Sequence, residues 1–226
     1  MSTSWNRGIC LFDQKKLRQA LRLYAVTSRN WLGKQTLAGQ VEQALRGGAT
    51  MVQLREKTLC DRELLQEAQA IKLIAAQYGV PLILNDRPDL VERCGADGVH
   101  IGQGDCSAAQ ARREIGPERI LGISAHSVDE ALRAQEEGAD YLGVGAAFGS
   151  ATKTDAVTTS PDVIRAICRA VELPVVAIGG IDQGNIHRLS GCGLAGVAVV
   201  SALFAQPDVR GAAQRMRVLS ERVTAG

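Results

Sequence analysis

The sequence predicts a single α/β domain folded as a (β/α)8 TIM barrel, and three observations carry that reading. Eight short apolar runs of strand length recur along the 226 residues, at roughly 26 residues per unit, near the lower end of the size range for such barrels. Segments with the period of a half-buried helix lie between them. Several of the runs end abruptly in polar or charged residues, as parallel strands do when their carboxyl ends deliver side chains into a site. A doubly wound open sheet is the competing architecture. It usually has about five or six strands, and nothing in this chain marks a reversal of strand order.

The strands are expected at Arg22 to Thr27, Met51 to Leu54, Leu82 to Asn85, Gly98 to Ile101, Ile120 to Ser124, Tyr141 to Gly145, Val175 to Ile178 and Gly196 to Val200. Between the second and third, Leu64, Leu65, Ala68, Ile71, Ile74 and Ala75 form the stripe of one buried helix face. Ser160-Pro161-Asp162 reads as an N-cap followed by proline at the first helical position. Gly47-Gly48, Gly95, Gly138 and Gly191 to Gly193 are placed to end helices before the next strand. Residues 1–20 form an extension, in which Leu17 to Leu21, with Asp13 as cap, are expected to make a helix closing the amino-terminal face. Residues 21–226 are the barrel, with no linker rich in proline or serine.

Composition narrows the function classes. A net charge of +2 with 22% charged residues lacks the basic bias of a nucleic-acid partner. Anion recognition must therefore be local. No apolar run approaches a membrane span, and Ile9 to Phe12 is too short for a signal-peptide core, so a cytoplasmic location is expected. The six cysteines include no C-x-x-C pair and have no histidine beside them; they read as free thiols in a reducing compartment. Oligomeric state is open, and a homo-oligomer is compatible with the sequence.

The chemistry lies at the strand ends. Asp86 ends the third strand and Asp105 follows the fourth. Neighbouring strands lie about 4.8 Å apart, so the two carboxylates can share one hard cation. Magnesium takes one or two carboxylates together with water and phosphate oxygens. Taken singly, each aspartate reads as a cap for a helix starting at Pro88 or Ser107. Beside Arg55, Lys57 and Lys153 the pair suits a magnesium-bound diphosphate, because three basic groups at one face repel one another unless a polyanion sits among them. The run Gly145 to Asp155, containing Ser150, Ala151 and Thr152, is small and polar, as binding loops are. Gly179-Gly180 after the seventh strand and Val200-Ser201 after the eighth suggest a second phosphate cradle, with a backbone N–H at Gly180 against the anion. Two anion sites on one face imply two phosphorylated small-molecule substrates.

With these residues assembled, the chain resembles the thiamine phosphate synthase family from about Leu23 to its carboxyl end. The residues that carry the resemblance are Gln53-Leu54-Arg55-Glu56-Lys57, Asn85-Asp86-Arg87, His100-Ile101-Gly102-Gln103 with Asp105, Gly122-Ile123-Ser124, Thr152-Lys153-Thr154-Asp155, Ile178-Gly179-Gly180-Ile181 and Val200-Ser201. The resemblance implies that 4-amino-2-methyl-5-hydroxymethylpyrimidine diphosphate is joined to 4-methyl-5-(2-phosphooxyethyl)thiazole, giving thiamine phosphate and diphosphate. It implies that Asp86 and Asp105 hold Mg2+. Gln53, Leu54, Arg55, Glu56, Lys57, Asn85, Ser124 and Lys153 would take the pyrimidine diphosphate, with Arg55, Lys57, Ser124 and Lys153 acting in catalysis. Ser150, Ala151, Thr152, Gly180, Val200 and Ser201 would take the thiazole phosphate. The chain departs from the family in the long loop, where Gly149-Ser150 stands in place of proline-threonine and Ala146-Ala147 in place of an upstream proline. Two rival readings are a thiazole tautomerase-like barrel and a non-catalytic thiamine phosphate binding protein. The first expects a histidine in the Gly145-Ala146-Ala147-Phe148 stretch, which has none, and a sensor has no use for two metal-holding aspartates.

Overall fold

The computed structural model describes residues 14–149 and 158–225. Helix α1 (Gln14–Ala20) precedes β1 (Leu23–Val26). The chain then runs through α2 (Leu37–Arg46), β2 (Met51–Leu54), α3 (Asp61–Gln77), β3 (Leu82–Asn85), α4 (Val91–Cys94), β4 (Gly98–Ile101) and α5 (Ala108–Ile115). It continues with β5 (Ile120–Ala125), α6 (Val128–Glu136), β6 (Tyr141–Val144), α7 (Pro161–Ala170), β7 (Val175–Ile178), β8 (Gly196–Val199), α8 (Ser201–Phe204) and α9 (Val209–Thr224). All strands are parallel and hydrogen-bonded in chain order, and β8 closes on β1 through the pairs Leu23–Val197, Tyr24–Ala198 and Ala25–Val199. The predicted (β/α)8 barrel is the fold. Two of its helical units are shorter than the pattern suggests. Only α4 and a 3-10 turn follow β3, and a single 3-10 turn (Ile186–Leu189) follows β7.

Each strand is buried on both sides, so its two residue sets face different cores. Tyr24, Val26, Met51, Ile83, Ile120, Tyr141, Val176 and Ala198 point inward and share a cluster with Leu17 of α1 and with Leu21. Their neighbours in sequence, such as Ala25, Val52, Leu54, Leu84, Val99, Leu121 and Val197, pack outward with the helices. This is the period-two alternation of a strand, hidden because both sets are apolar.

The helices begin where the sequence provides caps. Thr36, Ser107, Ser127 and Ser160 each accept a backbone N–H three residues on, at 3.0–3.4 Å, each worth about 1 kcal/mol. At the amino ends of the strands, carboxylates serve the fold. Asp97 accepts from the Leu82 N–H at 2.7 Å and pairs with Lys72, while Asp140 accepts from the Leu121 N–H at 2.7 Å and pairs with Arg112.

Candidate active site at the carboxyl ends of the strands

A cavity opens at the carboxyl ends of the strands. Its walls bring together Gln53 from β2 and Arg55 just after it, Asn85 from β3, Ser124 from β5, Gly180 after β7 and Val200-Ser201 after β8. These are predicted site residues separated by up to 148 positions in sequence, and barrel closure alone makes them neighbours. Local bonds fix the edges of the cavity. The Thr27 hydroxyl accepts the Arg55 N–H at 3.0 Å, and Gln103 Nε2 donates to the Ser124 carbonyl at 2.6 Å.

The run from Gln53 to Lys57 divides. Gln53 and Arg55 face the cavity, while Leu54 packs among the helices. Glu56 also turns away, and its Oε1 lies 2.7 Å from Arg29 Nε, with 4% of the side chain exposed. Arg29 is held in turn by Glu67 at 2.5 Å. Burial pushes the Glu56 carboxyl up, and the Arg29 charge pulls it back. Lys57 is exposed and, like Asp86 and Asp105, is not part of the cavity wall, but it lies close enough to Asp86 to favour its charged form. No ion pair engages the Arg55 or Lys57 side chain among the described residues.

Neither aspartate of the predicted pair caps a helix. Ser107 caps α5, and Arg87 precedes the 3-10 turn at Pro88. Instead the Asp86 and Asp105 carboxyl groups meet. Asp105 anchors one oxygen on the Gly102 N–H at 2.7 Å. Asp86 sits at φ 61°, the one described residue other than glycine with a positive φ, a conformation that aspartate tolerates better than most residues and that concentrates at functional sites. Burial, followed by the contact with Asp105, raises the Asp86 carboxyl from 3.8 to about 6. Two acids in contact hold a proton more tightly than either would alone.

The glycine turn after β7 is shaped by the loop that follows β6. Backbone N–H groups of Ala147 and Phe148 donate to the carbonyls of Ile178 and Gly179, at 2.9 and 3.1 Å. Arg188 stacks over the Phe148 ring, 5.0 Å from its centroid. Gly180 has φ 63°, and a Cβ there would stand 2.0 Å from the Gly149 carbonyl oxygen. Close packing against this loop therefore already demands glycine, before any anion is considered. Ser201 begins α8, a single helical turn, with Val200 before it. Ser150, Ala151, Thr152 and Lys153 lie outside the described residues, as does Asp13.

The sequence reading misses the floor of the cavity. Tyr24 and His100 line it, and Tyr141 lies beneath, fully buried. Burial raises both phenols, so they remain protonated. Burial also lowers the His100 imidazole to about 4, against the opposing charge of Asp105, so the ring is neutral at physiological pH. Two tyrosines and a histidine at inward positions of otherwise aliphatic strands are a detectable signal once the inward set is known.

Comparison with known proteins agrees with the fold. A family model described as thiamine monophosphate synthase matches residues 23–203. A thiamine-phosphate synthase of Ruminiclostridium cellulolyticum is 49% identical over 194 residues, covering 86% of this chain and 92% of that protein. One from Clostridium tetani is 44% identical over 194 residues, covering 86% and 93%. The solved thiamine phosphate pyrophosphorylase of Pyrococcus furiosus superposes with a TM-score of 0.85 at 37% identity, covering 92% of this chain and 98% of that one. On sequence and fold together, the chain belongs to the thiamine monophosphate synthase family.

Proposed function

We propose that this enzyme is a thiamine-phosphate synthase, a transferase that joins 4-amino-2-methyl-5-hydroxymethylpyrimidine diphosphate to 4-methyl-5-(2-phosphooxyethyl)thiazole and releases diphosphate. The carboxyl pair Asp86–Asp105, with Lys57 acting on it and with Asp86 next in sequence to Asn85 of the cavity wall, is the observation that carries the reading. The pair fits Mg2+. Two like-charged groups are held in contact, and Asp105 keeps its second oxygen off the anchoring Gly102 N–H. Two carboxylates are what magnesium accepts beside phosphate oxygens and water. Bound there, the ion would offset charge developing on the departing diphosphate.

The chain's own groups divide the remaining work. Arg55, Lys57 and Lys153 take the diphosphate, and Gln53, Asn85 and Ser124 orient the pyrimidine. Ser150, Ala151, Thr152, Gly180, Val200 and Ser201 hold the thiazole phosphate. Electron donation from the pyrimidine amino group lets the methylene lose diphosphate dissociatively. The site then needs no nucleophile of its own, only charge neutralisation and alignment of the thiazole nitrogen. The neutral His100, engaged at both ring nitrogens, is consistent with a site without a general base. Free thiols at all five described cysteines support a cytoplasmic location.

The test is diphosphate release by the purified protein with both substrates, with magnesium and with chelator. Thiamine phosphate and diphosphate should form in equal amounts and only with the metal. Binding of thiamine phosphate without turnover of the two substrates would overturn the assignment in favour of a sensor.

A further inference from the structure

A chain of hydrogen bonds crosses the cavity floor and joins two of the residues assigned to the pyrimidine. Gln53 Nε2 donates to the Tyr24 hydroxyl at 2.8 Å. The Tyr24 and Tyr141 hydroxyls lie 2.9 Å apart, and Tyr141 lies 2.9 Å from His100 Nδ1. His100 Nε2 reaches Ser124 Oγ at 3.0 Å. The chain thus passes through β2, β1, β6, β4 and β5, and glycines make room for it. A Cβ on Gly122 would stand 2.2 Å from the Tyr141 ring, and one on Gly143 would stand 2.9 Å from His100 Cε1.

Such a chain has a direction. A hydroxyl gives one proton, and a neutral imidazole has one N–H and one acceptor nitrogen. Because Gln53 gives to Tyr24, Tyr24 gives to Tyr141, Tyr141 gives to His100 Nδ1, and the His100 Nε2–H goes to Ser124. The Ser124 proton, the Gln53 carbonyl oxygen and the second Gln53 N–H are then left unspent, and both residues line the cavity. Through the Gln53 oxygen and the Ser124 proton the floor offers one acceptor and one donor. That pair complements a heterocycle whose amino group lies beside an unprotonated ring nitrogen. A 4-oxo ring presents the opposite pair, a carbonyl beside a ring N–H. Reversing both of these groups to match it requires an amide flip, three hydroxyl rotations and a change of histidine tautomer, all together.

Resting on the reaction proposed above, we infer that Tyr24, Tyr141 and His100 are positioning residues that lock the donor and acceptor sense of Gln53 and Ser124, and so select a 4-aminopyrimidine over its 4-oxo counterpart. Cutting the chain at Tyr141 uncouples its ends, so each end can turn to suit either ring. Tyr141→Phe removes one oxygen and keeps the ring, and Tyr24→Phe cuts a different link.

The experiment compares kcat/KM for the 4-amino and 4-oxo pyrimidine diphosphates, with thiazole phosphate and magnesium held constant. The unaltered enzyme should prefer the amino substrate by on the order of a thousandfold or more, because a mismatched ring leaves buried polar groups unpaired. In Tyr141→Phe and Tyr24→Phe the preference should fall by about tenfold or more, with the KM for thiazole phosphate unchanged and melting curves confirming the fold. Long-range proton–nitrogen NMR on 15N-histidine protein should find His100 in the Nε2–H tautomer. An undiminished preference in both folded variants, or an Nδ1–H tautomer, overturns the inference. Absence of turnover by the unaltered protein would instead sink the proposed reaction. Calorimetric affinities of the two pyrimidine diphosphates would then provide the same ratio.

Discussion

Asp86→Asn should stabilise the metal-free protein while abolishing most of its activity. The carboxyl rises from 3.8 to about 6 on folding, through burial and then through contact with Asp105. The native state therefore favours the neutral acid. The group's contribution is intact below pH 3.8 and is lost as the pH climbs through about 6. Roughly two pH units, at a little over 1 kcal/mol each, set an upper limit of about 3 kcal/mol. Partial contact with water reduces this to about 1–2 kcal/mol. Asparagine has the same shape, cannot ionise and tolerates φ 61° at least as well as aspartate, so no backbone cost opposes the gain. In chelator at pH 7.5 the variant should melt roughly 3–6 °C higher, at about 2–4 °C per kcal/mol for a chain of this length. The gain should shrink as the pH is lowered toward 4. His100, depressed to about 4, titrates over the same range with the opposite sign, but it is present in both proteins and cancels in the difference. Magnesium should erode or reverse the gain by binding the unaltered pair. Turnover should fall by about a hundredfold or more, since a cation at a leaving diphosphate contributes several kcal/mol to the transition state. A variant less stable than the parent at pH 7.5 in chelator, or a gain independent of pH, would refute the account of the pair.

Three further outcomes follow from the same geometry. Gly180→Ala must place a Cβ against the Gly149 carbonyl at a positive φ that alone costs about 1–2 kcal/mol, with the clash adding to it, and should raise the KM for thiazole phosphate more than that for the pyrimidine diphosphate in steady-state assays. Lys153→Ala should slow diphosphate loss itself, visible as a reduced single-turnover rate at saturating substrates; a change confined to thiazole phosphate affinity would move Lys153 to the other pocket. Glu56→Gln should cost about 1 kcal/mol of stability by loosening Arg29 and leave the KM for pyrimidine diphosphate within about twofold. A rise matching that of Arg55→Ala would place Glu56 in the site after all.

The reach of the sequence was set by which signals survive double burial. Strand positions were legible because buried parallel strands read as continuous apolar runs, and the helix starting at Pro161 because Ser160 caps it as proposed. The aspartate pair was legible because aspartate at a strand tip interrupts such a run. Which face each strand residue takes was not, since Tyr24 and Ala25 are equally hidden, one in the barrel and one under the helices. That ambiguity concealed the Tyr24–Tyr141–His100 floor.

The run from Gln53 to Lys57 shows how far elementary geometry could have gone. Successive side chains on a strand point to opposite sides, so five consecutive residues cannot all enter one cavity. Gln53 and Arg55 share a parity and face inward; Leu54 and Glu56 share the other, and there one packs with the helices and the other pairs with Arg29. The parity itself is fixed by Met51, two residues before Gln53, which lies in the inward cluster. Applied to β6, the same rule places Tyr141 and Gly143 inward together, a large ring followed by a residue with none. That ordering is required at Gly143, because His100 from β4 reaches over it toward Ser124. Within this barrel the glycine pattern therefore carries as much information about the site as the charged residues do, and it points to the polar floor, while the charges point to the rim.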